Sequence, residues 1–219
     1  MKGGTESSYV IGIDEVGRGA LAGPVVVVAV LVPARRGAWL EDRTVRRLGP
    51  LKDSKKLAPA RREAWAAHFR KSGGAVRFAA ARIYPRGIER MNISNAANRA
   101  AYRAVEALAR THGFDPMRMR IYLDGGLFLK DRAMQKRSFP HARTVVKGDE
   151  TIPAVSAASI IAKVARDGFM VRLAARHPGY AFEVHKGYGT AMHRAALRKQ
   201  GPCAAHRLTF LPGKPMIDG

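Results

Sequence analysis

Acidic residues and cysteines are the scarce groups in this chain of 219 residues. It holds 17 Asp and Glu against 39 Lys and Arg, which gives a formal net charge of +22 at pH 7. An excess of this size predicts a polyanionic partner, either a nucleic acid or an anionic membrane surface. The one cysteine, Cys203, excludes an intrachain disulfide and favours a reducing, cytoplasmic location.

Long apolar runs are also missing. The longest, residues 25–32, suits a buried strand and is too short to span a bilayer. Residues 1–8 are polar, without the apolar stretch of a secretory signal, and no lipidation motif is present. Because the basic residues are spread along the whole chain, we favour a nucleic acid over a membrane as the partner.

The hydrophobic pattern predicts an α/β layered domain, in which strands and helices alternate after an initial pair of strands. The basic segment 33–57 is expected to be an irregular connection, and its part 33–50 matches no pattern that we can assign. The predicted strands are 10–14, 24–32, 75–83, 119–123 and 143–146, and the predicted helices are 59–70, one capped by Ser94, one from Pro153 to His177, and 191–199.

Several of the few carboxylates lie where predicted strands end. These are Asp14 with Glu15, Asp124, and Asp149 with Glu150. Buried acids need a positive partner, and ligands tend to bind where strands end. Oxygen ligands without a Cys or His pattern favour Mg²⁺ or Mn²⁺, and two ions about 4 Å apart could support in-line phosphodiester hydrolysis. Any one of these acids could equally cap a turn or pair with an arginine, and Glu150 could be a solvated neighbour.

A glycine-flanked arginine, Arg18, follows the first acids and offers donors to a phosphate or a sugar. The glycines at 17, 19 and 23 superficially suggest a dinucleotide-binding loop. That interpretation fails because the spacing is G-x-G-x-x-x-G and a strand, not a helix, is predicted to follow.

The ordered motifs resemble those of type 2 ribonuclease H, specifically ribonuclease HII, over roughly residues 9–210. This resemblance implies a ribonuclease H-like mixed five-stranded sheet flanked by helices, with a small helical C-terminal appendage. It divides the chain into a flexible N-terminus 1–8, a catalytic domain 9–177 and a substrate-contacting helix and tail 178–219. The motifs are GIDEVGRG at 12–19, DSKKL at 53–57, NI at 92–93, LDG at 123–125, KGD at 147–149, AASIIAKVARD at 157–167, HKGYGT at 185–190 and HR at 206–207.

The resemblance implies an endonuclease that cuts the RNA strand of RNA–DNA hybrids. It would also nick 5′ of ribonucleotides embedded in duplex DNA, leaving a 3′-hydroxyl and a 5′-phosphate. Four residues would hold two Mg²⁺ or Mn²⁺ ions, with the first and third bridging them: Asp14, Glu15, Asp124 and Asp149.

Substrate-binding residues also follow from the resemblance. Tyr188 would stack on the deoxyribose after the ribonucleotide, and the loop at 17–19 would sense the ribose 2′-hydroxyl, largely through its backbone, where glycine allows close approach. The implied substrate-binding residues are Gly17, Arg18, Gly19, Lys55, Lys56 and Tyr188.

Some features depart from the family or lie outside it. Gly126 stands where many relatives have Asn, and no N-terminal substrate-binding domain precedes the first strand, which argues against ribonuclease HIII. The tail 211–219 shows no sliding-clamp-binding motif, and nothing requires more than a monomer.

Among the lesser candidates, we expect Cys203 to be inert and Arg166 to pair with Asp167. Three histidines could touch phosphate or simply lie at the surface: His185, His193 and His206.

Two other functions remain open from the residues alone. A non-catalytic basic nucleic-acid-binding protein needs no more than the net charge of +22, and it would show steeply salt-dependent binding without strand scission. A 3′–5′ exonuclease also uses four carboxylates, but its motifs place no Gly-Arg-Gly after the first acids.

Overall fold

Five strands form one mixed sheet in the computed structural model, which describes residues 8–51, 54–129 and 139–211. They are β1 (Tyr9–Val16), β2 (Val25–Pro33), β3 (Arg77–Ile83), β4 (Arg120–Asp124) and β5 (Ala142–Val145). The spatial order is β3-β2-β1-β4-β5. Strands β1, β2 and β3 pair antiparallel, whereas β4 lies parallel to both β1 and β5. The predicted mixed five-stranded sheet is therefore confirmed.

Helices cover both faces of this sheet. They are α1 (Asp42–Leu48), α2 (Pro59–Arg70), α3 (Pro85–Met91), α4 (Ile93–His112), α5 (Gly148–Thr151), α6 (Pro153–Arg176), α7 (Phe182–His185) and α8 (Ala191–Gln200). None of the helices in the described part of the chain is long and apolar enough to cross a membrane.

Two sequence predictions about helices are wrong. The segment 33–57 contains α1, whose basic sequence shows little helical periodicity. Thr44 is nevertheless buried, and Val45 and Leu48 pack on a core cluster, so tertiary contacts outweigh the weak local signal. The cap of α4 is Asn92, not Ser94, because the Asn92 side chain accepts a hydrogen bond from the N–H of Asn95 at 3.0 Å.

Strand β2 lies between β3 and β1 and is buried on both faces, which explains its unbroken apolar sequence. Val25 and Val27 belong to the cluster beneath α4, while Val28 and Val30 belong to the cluster beneath α6 and α2. The two-residue alternation of a strand thus supplies both cores.

Close packing of α6 on β1 sets the position of the candidate site. Ile11 and Ile13 face the α4 cluster, so Gly12 and Asp14 face α6. A Cβ at Gly12 would lie 2.2 Å from the carbonyl carbon of Ala154, at the start of α6. The missing side chain therefore lets the helix backbone approach the strand that carries the first acids.

The C-terminal helices α7 and α8 pack on the far end of α6. Phe182 of α7, Met170 of α6 and Ala22 share a third apolar cluster. The chain after α8 also returns to the sheet side, where the N–H of Leu208 donates to the Glu89 carboxylate at 2.6 Å. Residues 20–24, which follow β1, are thereby enclosed between α6 and the C-terminal segment.

Candidate active site

Asp14 and Glu15 lie within β1, near its carboxyl end; the predicted strand ended at Asp14, whereas β1 continues to Val16. The Asp14 carboxyl is 5% exposed and accepts a hydrogen bond from the Glu15 N–H at 2.7 Å. It is also hydrogen-bonded by Ser159 of α6. Two residues along a strand advance about 6.7 Å and five along a helix about 7.5 Å, so the close approach at Gly12 brings Ser159 level with Asp14.

The parallel pairing of β1 with β4 brings a third acid beside this pair. Ile13 is paired with Leu123, so Asp124, the last residue of β4, follows next to Asp14. Asp149 is the second residue of the short helix α5, which follows β5, and its N–H donates to Asp124 Oδ1 at 3.4 Å. The fold thus brings three distant parts of the sequence together.

Burial and mutual repulsion disfavour ionisation of the first two acids. Burial, then the charges of Glu15 and Asp124, hold the pKa of Asp14 well above its usual value, although the Ser159 hydrogen bond opposes this. Burial is also the main cause of the raised pKa of Glu15, where Arg18 acts in the opposite direction. Glu15 Oε2 is buried without a hydrogen-bond partner. A cation would relieve all of these costs.

The donor set therefore fits a hard divalent cation, which carboxylate oxygens prefer. In the described residues, however, no three His, Cys, Asp or Glu side chains already form a group that could hold a metal ion. The fold brings the predicted acids close together, but their carboxylates do not surround one point. Binding of a metal ion would therefore require these side chains to rotate.

A cavity of about 460 Å³ opens beside Asp14 and Glu15. The loop predicted to contact the ribose lines this cavity, as do the predicted Lys55 and Tyr188. Besides Asp14 and Glu15, the lining residues are Val16, Gly17, Arg18, Gly19, Ser54, Lys55, Ser159, Lys163 and Tyr188. The predicted Lys56 is not among them; it is paired with the exposed Glu150 at 2.7 Å.

The Arg18 side chain forms hydrogen bonds with three different parts of the site. Its guanidinium donates to Ser94 Oγ at 2.9 Å, to the carbonyl of Gly126 at 3.2 Å and to Glu15 Oε1 at 3.4 Å. These bonds tie β1 to α4 and to the turn after β4. These guanidinium donors therefore already have protein acceptors.

Three polar residues of the cavity had no role assigned from the sequence. Ser54 and Ser159 are both buried, and their hydroxyl oxygens lie 2.8 Å apart, which links the turn carrying Lys55 to α6 and so to Asp14. Lys163 lies one helical turn after Ser159 on α6. Polar residues at this spacing on an otherwise apolar helix face are the signal that could have identified them.

Tyr188 is half-buried and has cations beside its ring. Lys163 Nζ lies 5.9 Å and the guanidinium carbon of Arg166 5.3 Å from the ring centroid. The predicted ion pair between Arg166 and Asp167 is wrong, because Asp167 pairs with Lys163 at 2.8 Å and Arg166 is fully buried.

The three histidines that were expected at phosphate or at the surface are all buried, so both expectations are wrong. His185 and His193 stack with ring centroids 4.3 Å apart, and His193 Nε2 lies 3.0 Å from His206 Nε2. Cys203 Sγ lies 3.2 Å from His206 Nδ1, and burial raises the pKa of this thiol. These residues pack together beneath the segment that carries Tyr188, and His193 Nδ1 lies 3.0 Å from the Tyr188 carbonyl oxygen.

This histidine cluster predicts that stability falls in acid. Burial, followed by His193, lowers the pKa of His206 to about 4, so below about 6.5 the unfolded chain takes up protons that the folded protein refuses. We expect His206 to contribute up to about 3 kcal/mol of lost stability between pH 7 and 4. Urea unfolding of His206→Gln should show a shallower dependence on pH in that window.

The slope of His206→Gln must be compared with that of wild type, because the wild-type slope also contains the effect of Asp14 and Glu15. Their raised pKa values stabilise the folded protein as the pH falls, which opposes the effect of His206. Exposed His141 provides the matched control, and His141→Gln should keep the wild-type slope. Equal slopes for His206→Gln and wild type would contradict the prediction.

Comparison with solved structures defines the class of this fold and site. A chain of the PCNA:RNase HII complex from Archaeoglobus fulgidus matches with a TM-score of 0.64 and 26% identity, covering 94% of this chain and 97% of its own. This chain thus has the fold of a ribonuclease H-like hydrolase, a metal-dependent nuclease.

Sequence comparison narrows the class to one family. The family model for ribonuclease HII matches residues 11–212. A ribonuclease HII from Nitratidesulfovibrio vulgaris is 44% identical over 208 residues, which is 93% of this chain and 86% of the relative. Another, from Acaryochloris marina, is 40% identical and covers 94% of both chains. This chain belongs to the ribonuclease HII family, as its motifs predicted.

Proposed function

We propose that this protein hydrolyses the phosphodiester bond 5′ of a ribonucleotide within a duplex. It would cut the RNA strand of RNA–DNA hybrids and nick at single embedded ribonucleotides, leaving a 3′-hydroxyl and a 5′-phosphate. The observation that carries the proposal is the shared cavity, in which Asp14 and Glu15 lie beside the loop of residues 17–19.

Asp14, Glu15, Asp124 and Asp149 would hold Mg²⁺ or Mn²⁺, two ions during catalysis. When bound, such ions supply activation of the attacking water and neutralisation of the leaving oxygen. Support comes from the raised pKa values of Asp14 and Glu15 and from the unpartnered Glu15 Oε2. Without a cation these groups would repel a phosphate.

The loop at 17–19 would read the ribose. Gly17 has a φ of +86°, which side chains rarely adopt, and nothing lies within 4 Å of where a Cβ of Gly19 would be. A sugar can therefore approach the Gly19 backbone directly. Lys55 would contact phosphates at the same cavity, and Lys163 and Lys56 would do so after release from Asp167 and Glu150.

The proposed partners are RNA–DNA hybrids and ribonucleotide-containing duplex DNA, bound by a monomer. The solved relative from A. fulgidus is in complex with PCNA. Our prediction that the tail of this chain lacks a clamp-binding motif falls almost wholly on residues 212–219, outside the described residues.

A labelled DNA duplex carrying one ribonucleotide tests the proposal. With Mg²⁺ or Mn²⁺, and not with EDTA, we expect a single nick immediately 5′ of the ribonucleotide. A ladder growing from the strand ends would instead indicate a 3′–5′ exonuclease. Binding without any nick in either metal would indicate a non-catalytic basic nucleic-acid-binding protein.

Replacing Tyr188 by Ala should slow nicking at a single ribonucleotide about tenfold, because stacking of this kind contributes about 1–3 kcal/mol. Single-turnover rates on the one-ribonucleotide duplex measure the effect. Tyr188→Phe keeps the ring and should stay close to wild type. An unchanged rate for the Ala variant would remove the tyrosine from substrate binding.

A further inference from the structure

Two fully buried arginines lie beneath the proposed ribose-reading loop. Arg166 comes from α6 and Arg207 from the segment after α8, and both are 0% exposed. Neither forms an ion pair with a carboxylate in the described residues. Their guanidinium groups donate instead to main-chain carbonyls. Burying a guanidinium in this way is costly and needs several well-placed acceptors.

Arg166 joins the loop after β1 to the segment that carries Tyr188. Its guanidinium donates to the carbonyls of Ala22 and Pro24, both at 3.0 Å, and to that of Lys186 at 2.8 Å. A Cβ at Gly17 would lie 2.1 Å from Arg166 Nε, so the backbone of the loop rests directly on the guanidinium.

Arg207 holds the loop at its centre. Its Nη1 donates to the carbonyl of Arg18 at 2.9 Å, while Nε and Nη2 donate to the carbonyl of Gly23 at 3.0 and 2.9 Å. In a trans peptide the C=O and the following N–H point in opposite directions. Because the Arg18 carbonyl points inward to Arg207, the N–H of Gly19 points away from it, and Gly19 lines the cavity.

We propose that Arg166 and Arg207 are positioning residues that orient the backbone of residues 17–19 for discrimination between ribose and deoxyribose. Arg207 aims the Gly19 N–H, and Arg166 holds the loop at a fixed distance from Tyr188. This inference rests on the proposed function, since it assigns how the same cavity recognises its sugar. A lysine could supply the charge at either position, but not the planar set of donors that these carbonyls require.

The test measures dissociation constants for two duplexes that differ in one 2′-hydroxyl, with Ca²⁺ in place of the catalytic metal. For Arg207→Lys and Arg166→Lys we expect the preference for the ribonucleotide duplex to fall about tenfold, as small misplacements of a recognition group do. Affinity for the all-DNA duplex should stay within about twofold, since the net charge is unchanged. If the two arginines only stabilised the fold, their replacement would not selectively lower the affinity for the ribonucleotide-containing duplex.

Arg77→Lys is the matched control, because Arg77 Nε also donates to a main-chain carbonyl, that of Gly74 at 3.2 Å, outside the cavity. It should keep the wild-type preference. Melting temperatures of all variants are measured alongside, and each Lys variant provides the test if the other fails to fold. If neither folds, the arginines support the fold as a whole and the proposal is overturned.

A preference equal to wild type in a folded Lys variant overturns the inference, as does a wild-type protein that binds both duplexes equally. The nicking assay separates this result from failure of the proposed function. A wild-type protein that nicks, with Lys variants of unchanged preference, refutes only the role of the arginines. A wild-type protein that never nicks refutes the proposed function, whatever the binding ratio.

Discussion

Replacing Asp124 by Asn is expected to reduce nicking by about a thousandfold or more, because one of the four carboxylates that would hold the ions is lost. The side chain keeps its size, so the fold should be retained. Asp124 also raises the pKa values of Asp14 and Glu15, and removing its charge should leave the protein at least as stable. Single-turnover nicking in Mg²⁺ and Mn²⁺, with duplex binding measured in parallel, tests both expectations.

The same chemical change at Asp115 serves as the control. Asp115 accepts a hydrogen bond from the N–H of Met117 at 3.0 Å, outside the cavity, and Asn can replace it there. Asp115→Asn should therefore nick at the wild-type rate. Normal turnover by Asp124→Asn would refute the proposed metal-binding role of Asp124 and the catalytic assignment built on it.

Replacing Gly12 by Ala is expected to destabilise the folded protein by about 3 kcal/mol or more. The new Cβ would lie 2.2 Å from the carbonyl carbon of Ala154 and 2.5 Å from the nitrogen of Val155, both backbone atoms of α6. A helix backbone cannot rotate aside as a side chain can, so α6 must move away from β1. That movement would also separate Ser159 from Asp14 and lower activity.

Urea unfolding measures the loss of stability. Gly37 provides the matched control, since a Cβ there would have nothing within 4 Å, and Gly37→Ala should change the free energy of unfolding by less than about 1 kcal/mol. A Gly12→Ala variant as stable as wild type would show that α6 does not depend on this close approach to hold its place beside the acids.

The features that could be predicted from the sequence are those indicated by a short stretch of residues. The apolar run of β2, the carboxylates at 14 and 124, and the glycine-rich turn after β1 all have short-range patterns, and the structure has them close to the predicted positions. Sequence reasoning failed for His193 and His206, because a histidine in a basic segment gives no local sign of burial. It also failed for α1, whose helix depends on packing and not on its own periodicity.

The sequence by itself determined the family and the residues available for chemistry. An acid-poor chain with GIDEVGRG and the other motifs in order specifies a ribonuclease HII. Only the tertiary structure decided which residues act together. Parallel pairing of β1 with β4 joins Asp14 to Asp124, and the fold places Arg207 under Arg18 across most of the chain length. Contacts between distant segments depend on strand register and helix packing, which no local pattern encodes.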